Sequence, residues 1–309
     1  MIISVVGASG FIGLELVKKL LNSGNQIRVL SRNKHYPIKG VKIFVADLTD
    51  PNPNIDEFLD NVDILYNCAG EVKNESLMRE LHVVGIKRLL EYSKGRVGRW
   101  VQLSSVGAYG VCRDKLITEQ SEENPVGVYE ITKTESDNLV KNSGINYVIL
   151  RPSNVFGLTM SNQSLFQLIK IVQKKLFFYI GKPGSLANYV HVNDVVKALI
   201  LCSTNSNALG NIYIISQTIR IEQMIDSFQH ESSVKSKPFR LPERLIRVLL
   251  KVLNFAYDSF PLTESRVDAL TSRCRYSSTK LKSELGFKFD SSLERNFAYF
   301  SSNIPHENE

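Results

Sequence analysis

The 309-residue chain has four cysteines and one tryptophan, and Cys68, Cys112, Cys202 and Cys274 form no Cys-x-x-Cys pair. Cysteines so few and so far apart predict neither a metal site nor a disulfide framework, and suit a reducing, cytoplasmic setting. No run of 18 or more apolar residues is present, so no bilayer-spanning helix is expected. The opening residues lack the basic start, long apolar stretch and small-residue cleavage site of a secretory signal. Positive side chains never run beyond a pair such as Lys174-Lys175, and no basic stripe is interleaved with aromatics, which argues against nucleic acid. The net charge of +7, from 38 basic and 31 acidic residues, remains compatible with an anionic ligand.

What is present is an ordinary globular composition, 43% hydrophobic and 22% charged, which excludes wholesale disorder and a fibrous repeat. The length allows one large α/β domain or a core domain with a smaller companion. Apolar strands and helical periodicities alternate. Residues 2–6 form an apolar run that ends at Gly7. Phe11, Ile12, Leu14, Leu16, Val17, Leu20 and Leu21 then recur at helical spacing. Strands are expected at 26–30, 41–45, 62–66, 99–103 and 146–150, and helices at 75–92 and 128–141. Repeated βα units predict a Rossmann-type, doubly wound parallel sheet with helices on both faces. After residue 155 the pattern loosens. We therefore expect an α/β nucleotide-binding domain over 1–155, with returning segments near 189–216. A smaller, interleaved substrate domain over 156–303 and a flexible tail over 304–309 complete the expected chain.

The first strand-to-helix turn reads Gly7-Ala8-Ser9-Gly10-Phe11-Ile12-Gly13. In that context Gly7 permits a tight turn, Gly10 lets backbone approach a pyrophosphate, and Gly13 lets the helix pack on the strand. The anion would rest at the helix N-terminus. At the end of the second strand, where a carboxylate would bind the ribose hydroxyls of NAD, stand Ser31-Arg32-Asn33. A guanidinium there can pair with a 2′-phosphate, so Arg32 tilts the expected cofactor from NAD towards NADP. Asp47, just after the third strand, either accepts from the adenine amino group or caps the next turn.

Tyr129 and Lys133 stand four apart on a predicted helix and share a face. A phenol of ordinary pKa is a poor proton donor and acceptor at neutral pH, but a nearby ammonium and a nicotinamide cation would favour its phenolate. Leu103-Ser104-Ser105 closes the fifth strand, where strand ends of such a sheet line the ligand crevice. A serine there can hydrogen-bond a substrate oxygen that changes between alcohol and ketone.

Together these residues resemble the extended short-chain dehydrogenases/reductases, the NAD-dependent epimerase/dehydratase family. The resemblance also includes Asp47-Leu48-Thr49-Asp50, Asn67-Cys68-Ala69-Gly70 and Ser104-Ser105-Val106-Gly107-Ala108-Tyr109-Gly110. It continues through Leu150-Arg151-Pro152-Ser153-Asn154-Val155-Phe156-Gly157 and Tyr189-Val190-His191-Val192-Asn193-Asp194-Val195. Pro261-Leu262-Thr263, Leu285-Gly286-Phe287 and Ser292-Leu293-Glu294 are similar to the family's C-terminal segment. The resemblance implies Ser105, five before Gly110, as the catalytic serine, with Tyr129 and Lys133 completing the site. It further implies cofactor contacts from Phe11, Ile12, Asp47, Leu48 and Ala69. Ser153 would lie near the nicotinamide and Asn154 near a nucleotide-diphosphate sugar. His191 and Asp194 read as structural.

Two departures qualify the likeness. His82 stands where many members have asparagine, which leaves its contact open. Val106 and Gly107 stand where the sugar 4,6-dehydratases carry an Asp-Glu pair, so dehydration is disfavoured. The expected activity is hydride transfer at C4 of a nucleotide-diphosphate sugar, by a 4-epimerase or a 4-ketoreductase, with no metal. An NADPH-dependent reductase of another small ketone is the alternative enzyme, and a non-catalytic NADP-binding sensor or scaffold the alternative outside enzymology. A homodimer is the family's usual state. Arg240, Arg244, Arg247 and Lys251 form a basic stripe beside Leu241, Leu245, Val248, Leu249 and Val252. We read it as a substrate-domain helix with a solvated or diphosphate-facing edge, and peripheral membrane contact as the lesser reading.

Overall fold

The computed structural model describes residues 1–229, 238–256 and 262–304. From the N-terminus the chain runs β1 (Ile2–Val6), α1 (Phe11–Leu21), β2 (Gln26–Ser31), β3 (Lys42–Val45), α2 (Asp56–Leu59) and β4 (Val62–Asn67). It continues through α3 (Glu75–Arg79), α4 (Ile86–Ser93), β5 (Val97–Leu103), β6 (Leu116–Ile117), α5 (Val128–Lys141) and β7 (Tyr147–Pro152). Seven parallel strands form the main sheet in the order β11-β7-β5-β4-β1-β2-β3, β11 being Asn211–Ile215. The strands are apolar runs because both faces are covered. On one face Val5, Val29, Val101 and Val148 pack under α1 and α7 (Val192–Thr204). On the other, Leu65, Trp100 and Ile149 pack with Phe58, Leu89 and Val140 from α2, α4 and α5. Strand order reverses between β1 and β4, and in such a sheet the ligand crevice lies beyond the carboxyl ends at that point. The doubly wound parallel sheet expected from the sequence is therefore present.

Beyond β7 the chain supplies β8 (Asn154–Phe156), α6 (Ser164–Gln173), β9 (Tyr179–Ile180), β10 (Leu186–His191) and, past β11, β12 (Gln217–Arg220) and α8 (Ile221–Phe228). β10 pairs in parallel with β8 and antiparallel with β12. A separate apolar cluster forms beneath these strands, in which Phe156 stacks on Phe297 at 4.6 Å between centroids. The remaining elements are β13 (Arg240–Leu241), α9 (Glu243–Ala256), α10 (Glu264–Thr271), β14 (Arg275–Tyr276), α11 (Thr279–Leu285) and α12 (Leu293–Ser302). Among the described residues no helix is long and apolar enough to cross a membrane. Of the expected tail, 305–309 lies outside the described residues, as does Pro261.

Two expectations need correction. The helix expected over 75–92 is broken by a π-helical stretch at Glu80–Gly85 between α3 and α4. Apolar spacing does not register a widened turn that keeps the same face inward. Cys112 and Cys274, 162 residues apart, form a disulfide with their Cα atoms 5.5 Å apart. Pairing of β6 with β14 brings them together, a long-range contact invisible in cysteine spacing.

Candidate active site

β1 delivers the chain to Gly7, whose φ of +71° is a conformation that favours glycine. A side chain there would also collide: an added Cβ would stand 2.5 Å from the Ala69 nitrogen. At Gly13 it would stand 2.2 Å from the Gly7 carbonyl oxygen. The turn can therefore be this tight only with glycines at both positions. Gly10 is exposed and caps α1 without a side-chain bond, and the first turn of α1 carries no acidic residue. Free N–H groups at that helix end are open to an anion. Phe11 and Ile12 are half-buried in the same turn.

Asp47 is half-buried, and its Oδ1 accepts from the backbone N–H and the hydroxyl of Thr49, each at 2.9 Å, a local turn. Leu48 is buried, and its carbonyl accepts from Arg88 at 2.7 Å. Arg32 is exposed. The N–H groups of Lys73, Asn74 and Val72, together with the charge of Arg32, hold the Glu71 carboxyl below the usual carboxylate range. The negative charge of Glu71 acts on Arg32 and would weigh against a 2′-phosphate there.

Ser105 caps the short helical turn Val106–Tyr109, its Oγ accepting the Gly107 N–H at 3.0 Å. Glu130 of α5 packs against that turn, its Cγ 2.6 Å from where a Cβ on Gly107 would lie. The Ser105 turn and the first turn of α5, which carries Tyr129, are thus in contact. Lys133, one helical turn on, is buried, and its Nζ donates to the carbonyls of Leu103 at 2.8 Å and Ala69 at 3.4 Å. The contacts run without a break from Gly7 to Ala69, to Lys133, and to the end of β5 that carries Ser105. Ser153 is buried, and its Oγ has no partner among the described residues. Asn154 is exposed and donates to the Asn188 carbonyl at 3.1 Å.

The electrostatics differ from the expected lowering of the phenol. Burial first, then the charges of Glu130 and Asp137, push Tyr129 up to about 12. Burial likewise lowers Lys133, while Asp137 and Cys68 oppose that shift. Protein groups alone therefore leave the phenol neutral, and a ligand cation is needed to favour its phenolate.

A buried polar lattice supports the site, and the sequence reading passed over most of it. Asp137 Oδ2 accepts from Ser104 Oγ at 2.7 Å and from Arg151 at 2.9 and 3.1 Å, and Arg151 also reaches Glu123 at 2.8 Å. Ser104 is thereby engaged beneath the site. Asn67, Gln102, Trp100 and Ser136 are joined by further side-chain bonds. The one available signal was the Arg151 of the Leu150–Gly157 string; nothing in spacing links it to Asp137. His191 caps α7, and Asp194 accepts the Asp290 N–H at 3.0 Å, the structural roles expected.

The basic stripe is largely consumed within the protein. Arg240 pairs with Glu222 at 2.7 Å, and Arg247 with Glu243, Glu264 and Asp268. Arg244 is exposed, and the Lys251 side chain lies outside the described residues. Lys182, Arg240, Arg244, Arg247 and Arg273 line a cavity of about 770 Å³.

The glycine turn, the uncapped helix end and the unpartnered Ser153 hydroxyl fit a dinucleotide. Comparison with known proteins agrees. The sequence model described as the NAD dependent epimerase/dehydratase family matches residues 3–216. The UDP-glucose 4-epimerase of Vibrio cholerae is 25% identical over 232 residues, 69% of this chain and 70% of that one. Sterol demethylase protein B of Methylococcus capsulatus is 26% identical over 94% of this chain and 90% of its own length. The UDP-glucuronic acid 4-epimerase of Bacillus cereus, solved with UDP-glucuronic acid and NAD, superposes with a TM-score of 0.75. It is 18% identical and covers 98% of both chains, a likeness of fold.

Proposed function

The chain belongs to the NAD dependent epimerase/dehydratase family, and from that premise we propose that it transfers hydride at C4 of a nucleotide-diphosphate sugar. The observation that carries this reading is the unbroken path of contacts from the Gly7 turn through Ala69 and Lys133 to the strand end bearing Ser105. It supports reading the uncapped end of α1 as the anion-binding end of a crevice shared with the proton-transfer group. Gly7, Gly10, Gly13, Phe11 and Ile12 would hold the dinucleotide, with Asp47, Leu48, Ala69 and Ser153 along it. Bound there, NAD or NADP supplies the hydride acceptor and donor and a cationic ring. Tyr129 moves the proton at the substrate oxygen. Ser105 hydrogen-bonds that oxygen, Lys133 holds the ribose, and the cationic ring of the bound dinucleotide would favour the phenolate. Asn154 contacts the sugar nucleotide, and the cations of the arginine-lined cavity outside the ion pairs of Arg240 and Arg247, namely Lys182, Arg244 and Arg273, suit its diphosphate.

The test begins with the nucleotide that the purified protein retains, followed by titration of the emptied protein with NADPH and NADH. Retained NAD with no preference for NADPH identifies an epimerase that returns its hydride. An empty protein that prefers NADPH identifies a 4-ketoreductase, the outcome Arg32 favours and Glu71 opposes. In either case Tyr129→Phe should lower kcat by roughly 10²- to 10⁴-fold, and unchanged turnover would sink the reading. A second reading, reduction of a lipophilic ketone, is favoured by the sterol demethylase match, which extends over 94% of the chain. The exposed Leu245, Val248 and Leu249 of α9, and Phe239 just before β13, suit it too. Turnover of a sterol-like ketone, with none of any nucleotide sugar, would establish it.

A further inference from the structure

His82 has no part in the chemistry above, yet it is only 1% exposed and both ring nitrogens are engaged. Nε2 lies 2.8 Å from the Glu71 backbone nitrogen, and Nδ1 lies 2.8 Å from Thr132 Oγ1. A backbone N–H can only donate, so Nε2 is the acceptor and carries no proton. The Thr132 hydroxyl donates to the helix carbonyls of Val128 at 2.8 Å and Tyr129 at 3.1 Å, which leaves its oxygen to accept from Nδ1–H. One neutral tautomer therefore satisfies the whole path, whereas an imidazolium would set two N–H groups against each other. Burial, aided by the charge of Lys133 and opposed by Glu71, pushes His82 down to about 3. The ring accordingly holds its neighbours and exchanges no proton at neutral pH.

The ends of this path are what make it matter. Glu71 follows two residues after Ala69, whose carbonyl faces Lys133 Nζ. Thr132 sits between Tyr129 and Lys133 on α5, and the His82 ring meets the Tyr129 ring edge to face, with centroids 5.7 Å apart. The π-helical stretch Glu80–Gly85 presents His82 at this spot, a local departure from α geometry of the kind found at functional sites. We propose that His82 is a positioning residue, setting the spacing between the Ala69 loop and the turn of α5 that carries Tyr129 and Lys133. The proposal rests on the hydride-transfer reading above.

Three variants test it. His82→Phe keeps a ring and loses both bonds. Thr132→Val keeps the shape and leaves Nδ1–H without an acceptor. His82→Gln can offer an N–H and a carbonyl to the same two partners. By ¹⁵N NMR the His82 ring of the wild-type chain should be the Nδ1–H tautomer and should not titrate between about pH 5 and 8. An Nε2–H tautomer or a titration in that range overturns the path. In turnover, His82→Phe and Thr132→Val should each lower kcat by roughly tenfold to a hundredfold, since misplacement of reacting groups costs this much. KM should stay within about threefold, the double variant should be no slower than the slower single one, and His82→Gln should recover most of the rate. Wild-type turnover that His82→Phe leaves unchanged overturns the positioning role and spares the function. If the wild type turns over no nucleotide sugar, the function fails instead, and the variants are compared as NADPH complexes. Altered emission of bound NADPH in His82→Phe and Thr132→Val is then expected, and identical emission in all three proteins overturns the proposal.

Discussion

On the β1 side of the crevice the shape comes from side chains that are missing, at Gly7, Gly10 and Gly13, and the contacts are between backbones. On the β5 and α5 side it comes from side chains that are buried and bonded beneath the surface, Asp137 to Arg151 and Ser104, Lys133 to backbone carbonyls and His82 to Thr132 and Glu71. The first side is a steric device, in which one added carbon is the threat. The second is an electrostatic one, in which an unmatched charge is the threat. Damage to the two sides should therefore be read in different measurements, and each substitution below is a way to break that distinction.

The largest effect is expected at Asp137. Asp137→Asn leaves the fully buried Arg151 with Glu123 as its remaining carboxylate, and breaking such a pair costs about 3 to 5 kcal/mol. Thermal unfolding should register that loss, while affinity for the dinucleotide stays within about threefold of wild type. A lost affinity at unchanged stability would show that the lattice belongs to the binding side after all. Gly13→Ala should do the opposite. Its Cβ would stand 2.2 Å from the Gly7 carbonyl oxygen and 2.9 Å from the Ala8 Cα, so the turn itself must move. Overpacking of this kind costs about 1 to 3 kcal/mol, and dinucleotide affinity should fall much further than stability alone explains. Retained affinity, measured by titration with NADH, would refute the steric account.

The same distinction governs what could be read in the sequence. The steric side was legible because glycine has one physical meaning at a tight strand-to-helix turn, and the residues involved are consecutive. Tyr129 and Lys133 were legible because helical spacing puts them on one face. Their supports were not. Asp137 meets Arg151 and Ser104 only when α5, β7 and β5 are assembled, and His82 depends on a π-helical stretch that apolar periodicity does not register. The Cys112–Cys274 disulfide was missed for the same reason, since β6 and β14 are brought together by the fold.

Arg32 sits on the cradle side but acts by charge, so it sharpens the comparison. If it meets a 2′-phosphate, Arg32→Ala should weaken NADPH by roughly tenfold to a hundredfold, the worth of a hydrogen bond to a charged group. NADH should be unaffected. Equal loss for both coenzymes would mean that Arg32 supports the fold of the turn and selects nothing.

The smallest effect is expected at Glu130, where the two devices meet. Its side chain packs on Gly107, a steric contact, while its charge is the second cause, after burial, that pushes Tyr129 up to about 12. A negative neighbour disfavours the phenolate, so Glu130→Gln should lower the phenol pKa. In the oxidative direction the reaction needs the phenolate, and the rate rises with pH as the proton leaves. The rising limb of kcat against pH should therefore move to lower pH in Glu130→Gln, with the plateau little changed. In the reductive direction the neutral phenol is the donor, and the falling limb should move to lower pH by the same amount. Limbs that stay in place would mean that Glu130 serves the Ser105 turn by packing alone. A collapse of the plateau would mean that its carboxylate takes part in the reaction.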